Sequence, residues 1–183
     1  GKSTLAKIIV NEIDFTGKLE LGHEVKVGYY AQNQVEFLDE NKTVLETIYD
    51  AANEETSPKV RSILGSFLFS DDTVDKKIGV LSGGERARVA LCKLLLEPVN
   101  LLVMDEPTNH LDMEMRHALT VAIQTFKGAI LLISHDRHLL NSSVDTFYLI
   151  DNGALEIFDG DLDDYKNYIL DIKSSDNKQS KKK

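Results

Sequence analysis

Residues 100–151 contain three short, almost uninterrupted apolar runs, "LLVMD" (101–105), "AILLIS" (129–134) and "TFYLID" (146–151), separated from one another by helical patterns. A strand that is apolar on both sides has no face to give to water, so it must lie in a sheet covered on both faces. The intervening helices supply that cover, which predicts an α/β fold with a mostly parallel sheet at its core. The spacing places helices at Met113–Phe126 and, shorter, at Asp136–Leu140. After the third run, Asn152-Gly153 marks a turn into "ALEIF", so the last two strands read as a hairpin at an edge. "DLDDYKNYIL" then reads as a helix capped by Asp161.

The first hundred residues have a different texture. Leu5, Ile8, Ile9 and Ile13 recur at helical spacing, predicting a helix from Lys2 to about Ile13. "GKLEL" and "VKVGYYAQ" alternate apolar and polar residues on either side of Gly22-His23 and read as an antiparallel pair. From Thr43 to about Leu96 only helical patterns follow, the first "TVLETIYDAA" and the last beginning after Ser82, which suggests a helical subdomain at about 43–96. With 183 residues the chain suits one domain, expected over 1–172, followed by the polar, basic stretch "KSSDNKQSKKK" (173–183), expected to be a disordered tail.

Composition narrows the function classes. A net charge of −9 argues against nonspecific nucleic-acid binding through the field of the domain. No apolar run approaches the roughly 18 residues that a bilayer span requires. The single Cys92 has no partner within the chain, and its apolar helical neighbours Leu91, Leu94 and Leu95 mark it as a core residue. A reducing cytoplasm fits both observations.

Five stretches carry chemistry. The chain begins "GKST", the last positions of the pattern G-x-x-x-x-G-K-[ST], in which a lysine reaches the β- and γ-phosphates, a hydroxyl holds Mg²⁺, and free N–H groups at a helix start bind the anion. Lys2, Ser3 and Thr4 suit those roles, although an ordinary exposed helix start reads the same way. "LLVMDEP" ends an apolar strand on two acids, so Asp105 suits Mg²⁺, through water, and Glu106 suits a general base that polarises the attacking water; a solvated acidic turn is the plain alternative. "LSGGERARVALCKLLL" (81–96) opens a long helix with Ser82, Gly83 and Gly84, which offer an anion a hydroxyl and N–H groups, while Ser82 and Glu85 also fit a capping box. Gln32, leaving a strand, has an amide that could reach both metal and water. His135, leaving another, has an imidazole able to bond a γ-phosphate or the catalytic water.

"GKST", "YYAQ", "LSGGE", "LLVMDEPTNHLD" and "ISHDR" resemble, in order and approximate spacing, the Walker A end, Q-loop, signature, Walker B with D-loop, and switch histidine of an ATP-binding cassette domain. The resemblance reaches through the strand-rich region that follows and covers all but the tail. "DEPTNHLD", "SHDRHLL", the Glu85 form of the signature and "FDGDLDDYKNYI" are similar to the ABC-F class, soluble proteins with two cassettes in one chain and no transmembrane domain. "LDMEMRHAL" looks like the second of the two cassettes, and the chain is expected to be a C-terminal cassette fragment that begins inside Walker A.

That resemblance implies a P-loop NTPase-type fold, the cofactors ATP and Mg²⁺, and a head-to-tail partner cassette. It implies that Gly1, Lys2, Ser3, Thr4, Gln32, Asp105, Glu106 and His135 serve one ATP, with Mg²⁺ held by Ser3, Gln32 and Asp105. Ser82, Gly83, Gly84 and Glu85 would serve the other ATP, and Asp112 would face the partner cassette. It implies ATP hydrolysis by the intact parent, weak or absent in the isolated chain, and a ribosome-bound translation factor. The nucleotide-binding subunit of a membrane transporter and a non-catalytic interaction module stay open beside it.

Overall fold

A computed structural model describes residues 1–31, 37–54, 56–109, 111–151 and 153–170. Two compact units divide them: residues 2–143, and residues 144–170 together with Gly1.

The larger unit is built on a three-stranded parallel sheet in the order β1 (Val27–Tyr30), β2 (Leu101–Asp105), β3 (Ala129–Ile133). Register pairs Tyr29 with Val103 and Val103 with Leu131. Side chains alternate across a strand, so each strand sends residues to two faces. One face carries Val27, Tyr29, Leu101, Val103, Leu131 and Ile133, and packs against Ala6, Ile9 and Val10 of helix α1 (Lys2–Ile9) and the residue after it. The other carries Tyr30, Leu102, Met104, Ile130 and Leu132, and joins the main core. "LLVMD" is thus covered on both sides, as its composition requires, whereas "TFYLID" is not: it forms a strand outside this sheet, with Tyr148 56% exposed.

Helices α2 (Val44–Ala51), α3 (Val60–Ser66), α4 (Asp71–Val74) and α5 (Gly83–Leu96) occupy residues 44–96, with one-turn 3₁₀ segments at Ser57–Lys59 and Ile78–Val80. α2 packs on α5, and α5 packs on β1. Gly28 permits the second contact, since a Cβ there would lie 2.9 Å from Leu94 Cδ1 and 3.1 Å from Val99 Cγ2. Cys92 is fully buried, and burial pushes its thiol up to about 12, so it is a packing residue without thiolate reactivity. After β2 come α6 (Met113–Thr125), β3 and α7 (Arg137–Ser143).

Two expectations need correction. α1 stops at Ile9, not near Ile13: Asn11 takes a left-handed φ of 59°, and the Asn11 and Glu12 N–H groups bond to the Ile8 and Lys7 carbonyls at 3.0 and 2.8 Å. These are the two bonds of a Schellman cap, and they satisfy the carbonyls that a longer helix would have used. The antiparallel pair at 17–32 is also absent among the described residues. Residues 18–21 form no strand, and β1 pairs in parallel with β2. Asn100 holds that pairing in place: its Oδ1 accepts from Lys26 N–H at 2.8 Å, its Nδ2 donates to Glu24 O at 3.0 Å, and its N–H bonds Lys26 O at 3.0 Å.

The smaller unit is an antiparallel hairpin of β4 (Phe147–Asp151) and β5 (Ala154–Phe158) followed by helical residues 162–170. Gly153, at φ 81°, makes the turn, a conformation that L side chains disfavour. The hairpin is a sheet of its own, in place of the edge expected from sequence. Asp161 caps the helix as expected, accepting from Asp163 and Asp164 N–H at 2.7 and 2.9 Å.

Candidate functional site

Ligands of open α/β sheets bind beyond the carboxyl ends of the strands. Asp105 is the last residue of β2, Glu106 follows it, and His135 lies two residues past β3. The end of α1 and residues 10–12 after it line one hollow with Val27, Gly28 and Tyr29 of β1. The exposed first turn of α1, Lys2, Ser3 and Thr4, begins the helix that covers the face of β2 on which Asp105 lies. Gly1 groups with the smaller unit. Gln32 lies outside the described residues.

Asp105 shares the α1 face of β2 with Leu101 and Val103. Its Oδ1 is buried and has no hydrogen-bond partner. A buried carboxylate oxygen without a donor is costly, and a hard cation with its coordinated water is a group that would satisfy it. Its field also reaches Tyr29, whose phenol is held above its usual range by burial first, then by Glu12 and Asp105. No three His, Cys, Asp or Glu among the described residues are placed to hold a metal by themselves.

Glu106 has a left-handed backbone at φ 51°, rare for a residue with a Cβ. Its N–H bonds Ile133 O at 2.8 Å, and its Oε2 accepts from His135 N–H at 3.3 Å. His135 Nε2 lies 3.6 Å from Glu106 Oε1. The carboxylate is 21% exposed and the imidazole 83%, so the carboxylate is sheltered while the histidine faces solvent. The structure therefore brings together a carboxylate and an imidazole that lie 29 residues apart in sequence.

Ser82 and Glu85 form the expected capping box at the start of α5, with Ser82 N–H to Glu85 Oε2 at 2.8 Å and Glu85 N–H to Ser82 Oγ at 3.3 Å. A Cβ added at Gly83 or Gly84 would meet nothing within 4 Å among the described residues, so no contact among them requires glycine there. The cap borders a cavity of 160 Å³ that Asp112 also lines. Asp112 itself caps α6, accepting from Met115 N–H at 2.9 Å.

The Ser82 hydroxyl, then its N–H, hold the Glu85 carboxyl below the usual carboxylate range. A folded-state value lowered in this way stabilises the fold at pH above the unfolded value, and that stabilisation is lost as pH falls through the folded one. Urea unfolding between about pH 6 and pH 3 is expected to show stability falling more steeply in the wild type than in Glu85→Gln. Parallel slopes would contradict this. Ser82→Ala is expected to cost about 0.5–2 kcal/mol in the same assay.

Sequence reading passed over two arginines. Arg88 places its guanidinium 5.5 Å from the Phe69 ring centroid and 3.9 Å from Asp112 Oδ2, with a buried Nε that has no hydrogen-bond partner. Arg116 bridges Leu111 O and Asp136. The one signal for Arg116 was its position one turn beyond the cap residue Asp112.

The fold and the site together define an α/β nucleotide-binding domain of the P-loop kind. The chain belongs to the ABC transporter family, whose model matches residues 1–109, and is an ATP-binding cassette. It is 43% identical over 178 residues to the Probable ATP-binding protein YheS of Escherichia coli O6:H1, covering 97% of this chain and 28% of that protein. It is 42% identical over 178 residues to ABC transporter F family member 5 of Arabidopsis thaliana, covering 96% of this chain and 26% of that one. The chain thus spans well under a third of these relatives. Among solved structures, an archaeal ribosome recycling factor aABCE1 in complex with the ribosomal stalk protein aP1 matches with a TM-score of 0.68 and 26% identity, over 84% of this chain and 30% of that chain. No helix among the described residues is long and apolar enough to cross a membrane.

Proposed function

We propose that this chain is one ATP-hydrolysing cassette of a twin-cassette, cytoplasmic protein of the ABC-F class that acts on the ribosome. The observation that carries the hydrolytic part is Glu106, held at φ 51° against His135 N–H and sheltered beside the unpartnered Asp105 oxygen. Lys2, with the N–H groups of Ser3 and Thr4, binds the phosphates of one ATP. Ser3 and Gln32, with Asp105 through water, would hold Mg²⁺, which would offset negative charge on the phosphate oxygens. Glu106 takes the proton of the attacking water as its oxygen bonds to the γ-phosphorus and the bond to ADP breaks. His135 keeps that carboxylate oriented. Ser82, Gly83, Gly84 and Glu85 complete the second ATP site across the cassette interface, where Asp112 also lies. The open space at the two glycines supports this, since it leaves room for a phosphate.

The ribosomal part is supported by likeness to a recycling factor solved with a ribosomal stalk protein. Calorimetry on the full-length protein with Mg²⁺ and ATP, followed by ribosome co-sedimentation, tests both parts. Lys2→Ala is expected to weaken ATP binding at least about tenfold by removing a charge-assisted phosphate contact. Trapping the nucleotide by Glu106→Gln in both cassettes is expected to hold the protein on ribosomes. Unchanged ATP affinity in Lys2→Ala would sink the nucleotide site, and absence from the ribosomal pellet would sink the ribosomal role.

A further inference from the structure

Two loops leave the carboxyl edge of the sheet side by side: the one after β2 begins with Glu106, and the one after β3 contains His135. Their first contact is the Glu106–His135 pair. Farther back they are joined again, by Arg116 in the first turn of α6. Its Nε donates to Leu111 O at 3.2 Å, and its Nη1 donates to Asp136 Oδ2 at 3.4 Å.

Asp136 is well suited to receive that bond. Its side chain is only 14% exposed, its Oδ1 accepts from His138 and Leu139 N–H at 3.0 and 3.1 Å, and its own N–H donates to Ser134 Oγ at 3.0 Å. The residues on both sides of His135 are therefore fixed by side-chain bonds, and Asp136 caps α7. An ordinary surface ion pair has two mobile partners and contributes little. Here one partner is sheltered and already bonded to two N–H groups, and the other spends a second donor on a backbone carbonyl.

We propose that Arg116 is a positioning residue for the Glu106–His135 pair: by tying Leu111 O to Asp136 it sets the loop that carries His135 against the loop that carries Glu106. This rests on the hydrolytic reading of the site given above. The polar partners of Arg116 are the Leu111 carbonyl and Asp136, not Glu106 or His135, so the role assigned to it runs through those two. The step most sensitive to it is the one that needs Glu106 aimed, and nucleotide binding at the start of α1 is not.

The test compares Arg116→Ala and Arg116→Lys with wild type in the full-length protein, reading steady-state ATP turnover and amide hydrogen exchange at His135 and Leu139. Arg116→Ala is expected to lower kcat about tenfold with the ATP KM within about twofold, because small misplacements of a catalytic group reduce turnover without reducing binding. Exchange at His135 and Leu139 is expected to rise by about the same factor as the loop is released. Arg116→Lys, which keeps the charge but loses the fork, should fall between the two. Wild-type turnover that is lost in Glu106→Gln but unchanged in Arg116→Ala overturns the proposal alone. Unaltered exchange at both amides overturns it too, whatever the turnover. A lower melting temperature with unchanged kcat in the folded fraction would make Arg116 merely structural. Turnover that survives Glu106→Gln would instead fell the hydrolytic reading, and the role assigned to Arg116 with it.

Discussion

Glu106→Gln is expected to lower ATP turnover by about 10²- to 10⁴-fold, the range that a positioned general base contributes, while ATP affinity is retained. The substitution keeps the size of the side chain and an oxygen that can still accept the His135 N–H now bonded to Glu106 Oε2 at 3.3 Å. It keeps the same burden of a left-handed backbone at φ 51°, which Ile133 O holds through the 2.8 Å bond from the N–H of residue 106. What it removes is the negative charge by which the proposed base would draw a proton from water. Phosphate release by the full-length protein carrying the change in both cassettes, measured beside ATP binding by calorimetry, separates the two quantities. Turnover within threefold of wild type would show that Glu106 is not the base.

Leu102→Ala is expected to destabilise the fold by about 2–5 kcal/mol, the cost of removing a large buried side chain that its neighbours cannot fully replace. Leu102 sits in the central strand, is fully buried, and points into the main core beneath α5. Its neighbours are held by the sheet ladder on one side and by helix packing on the other, so the void has little room to close. A natural domain has about 5–15 kcal/mol of stability in all, so the loss is a large part of it. Urea unfolding followed by circular dichroism measures it. Val80→Ala, at a side chain 73% exposed, should by contrast stay within about 0.5 kcal/mol of wild type. A Leu102→Ala cost below about 1 kcal/mol would mean that the core under β2 repacks freely.

Where an apolar pattern had a single way to be satisfied, the sequence was a good guide. "LLVMD" and "AILLI" read as strands of one parallel sheet, and they pair in parallel, "LLVMD" as its central strand and "AILLI" at its edge. Ser82 and Glu85, three residues apart before an apolar run, form the capping box that their spacing implied. "VKVGYYAQ" was different. Its alternation suits a hairpin with "GKLEL" as well as an edge beside β2, and the choice fell to Asn100, whose amide bonds Lys26 and Glu24 from more than seventy residues away. The helix at Lys2 was legible and its end was not, because apolar periodicity continues to Ile13 while a left-handed Asn11 and two cap bonds stop the helix sooner.

The sequence by itself determined the α/β class, the order of the chemical motifs and the identity of Asp105, Glu106, Ser82 and His135 as the residues to examine. These follow from local chemistry: which side chains are apolar, how they are spaced, and which groups stand at the ends of strands and helices. Only the tertiary structure decided that Glu106 meets His135, that Asp105 keeps a buried oxygen without a partner, that Arg116 ties Leu111 to Asp136, and that β4 and β5 make a sheet of their own. Such pairings bring together residues that are remote in sequence, and a remote contact is set by competition among all the surfaces that fold together, which no local spacing records.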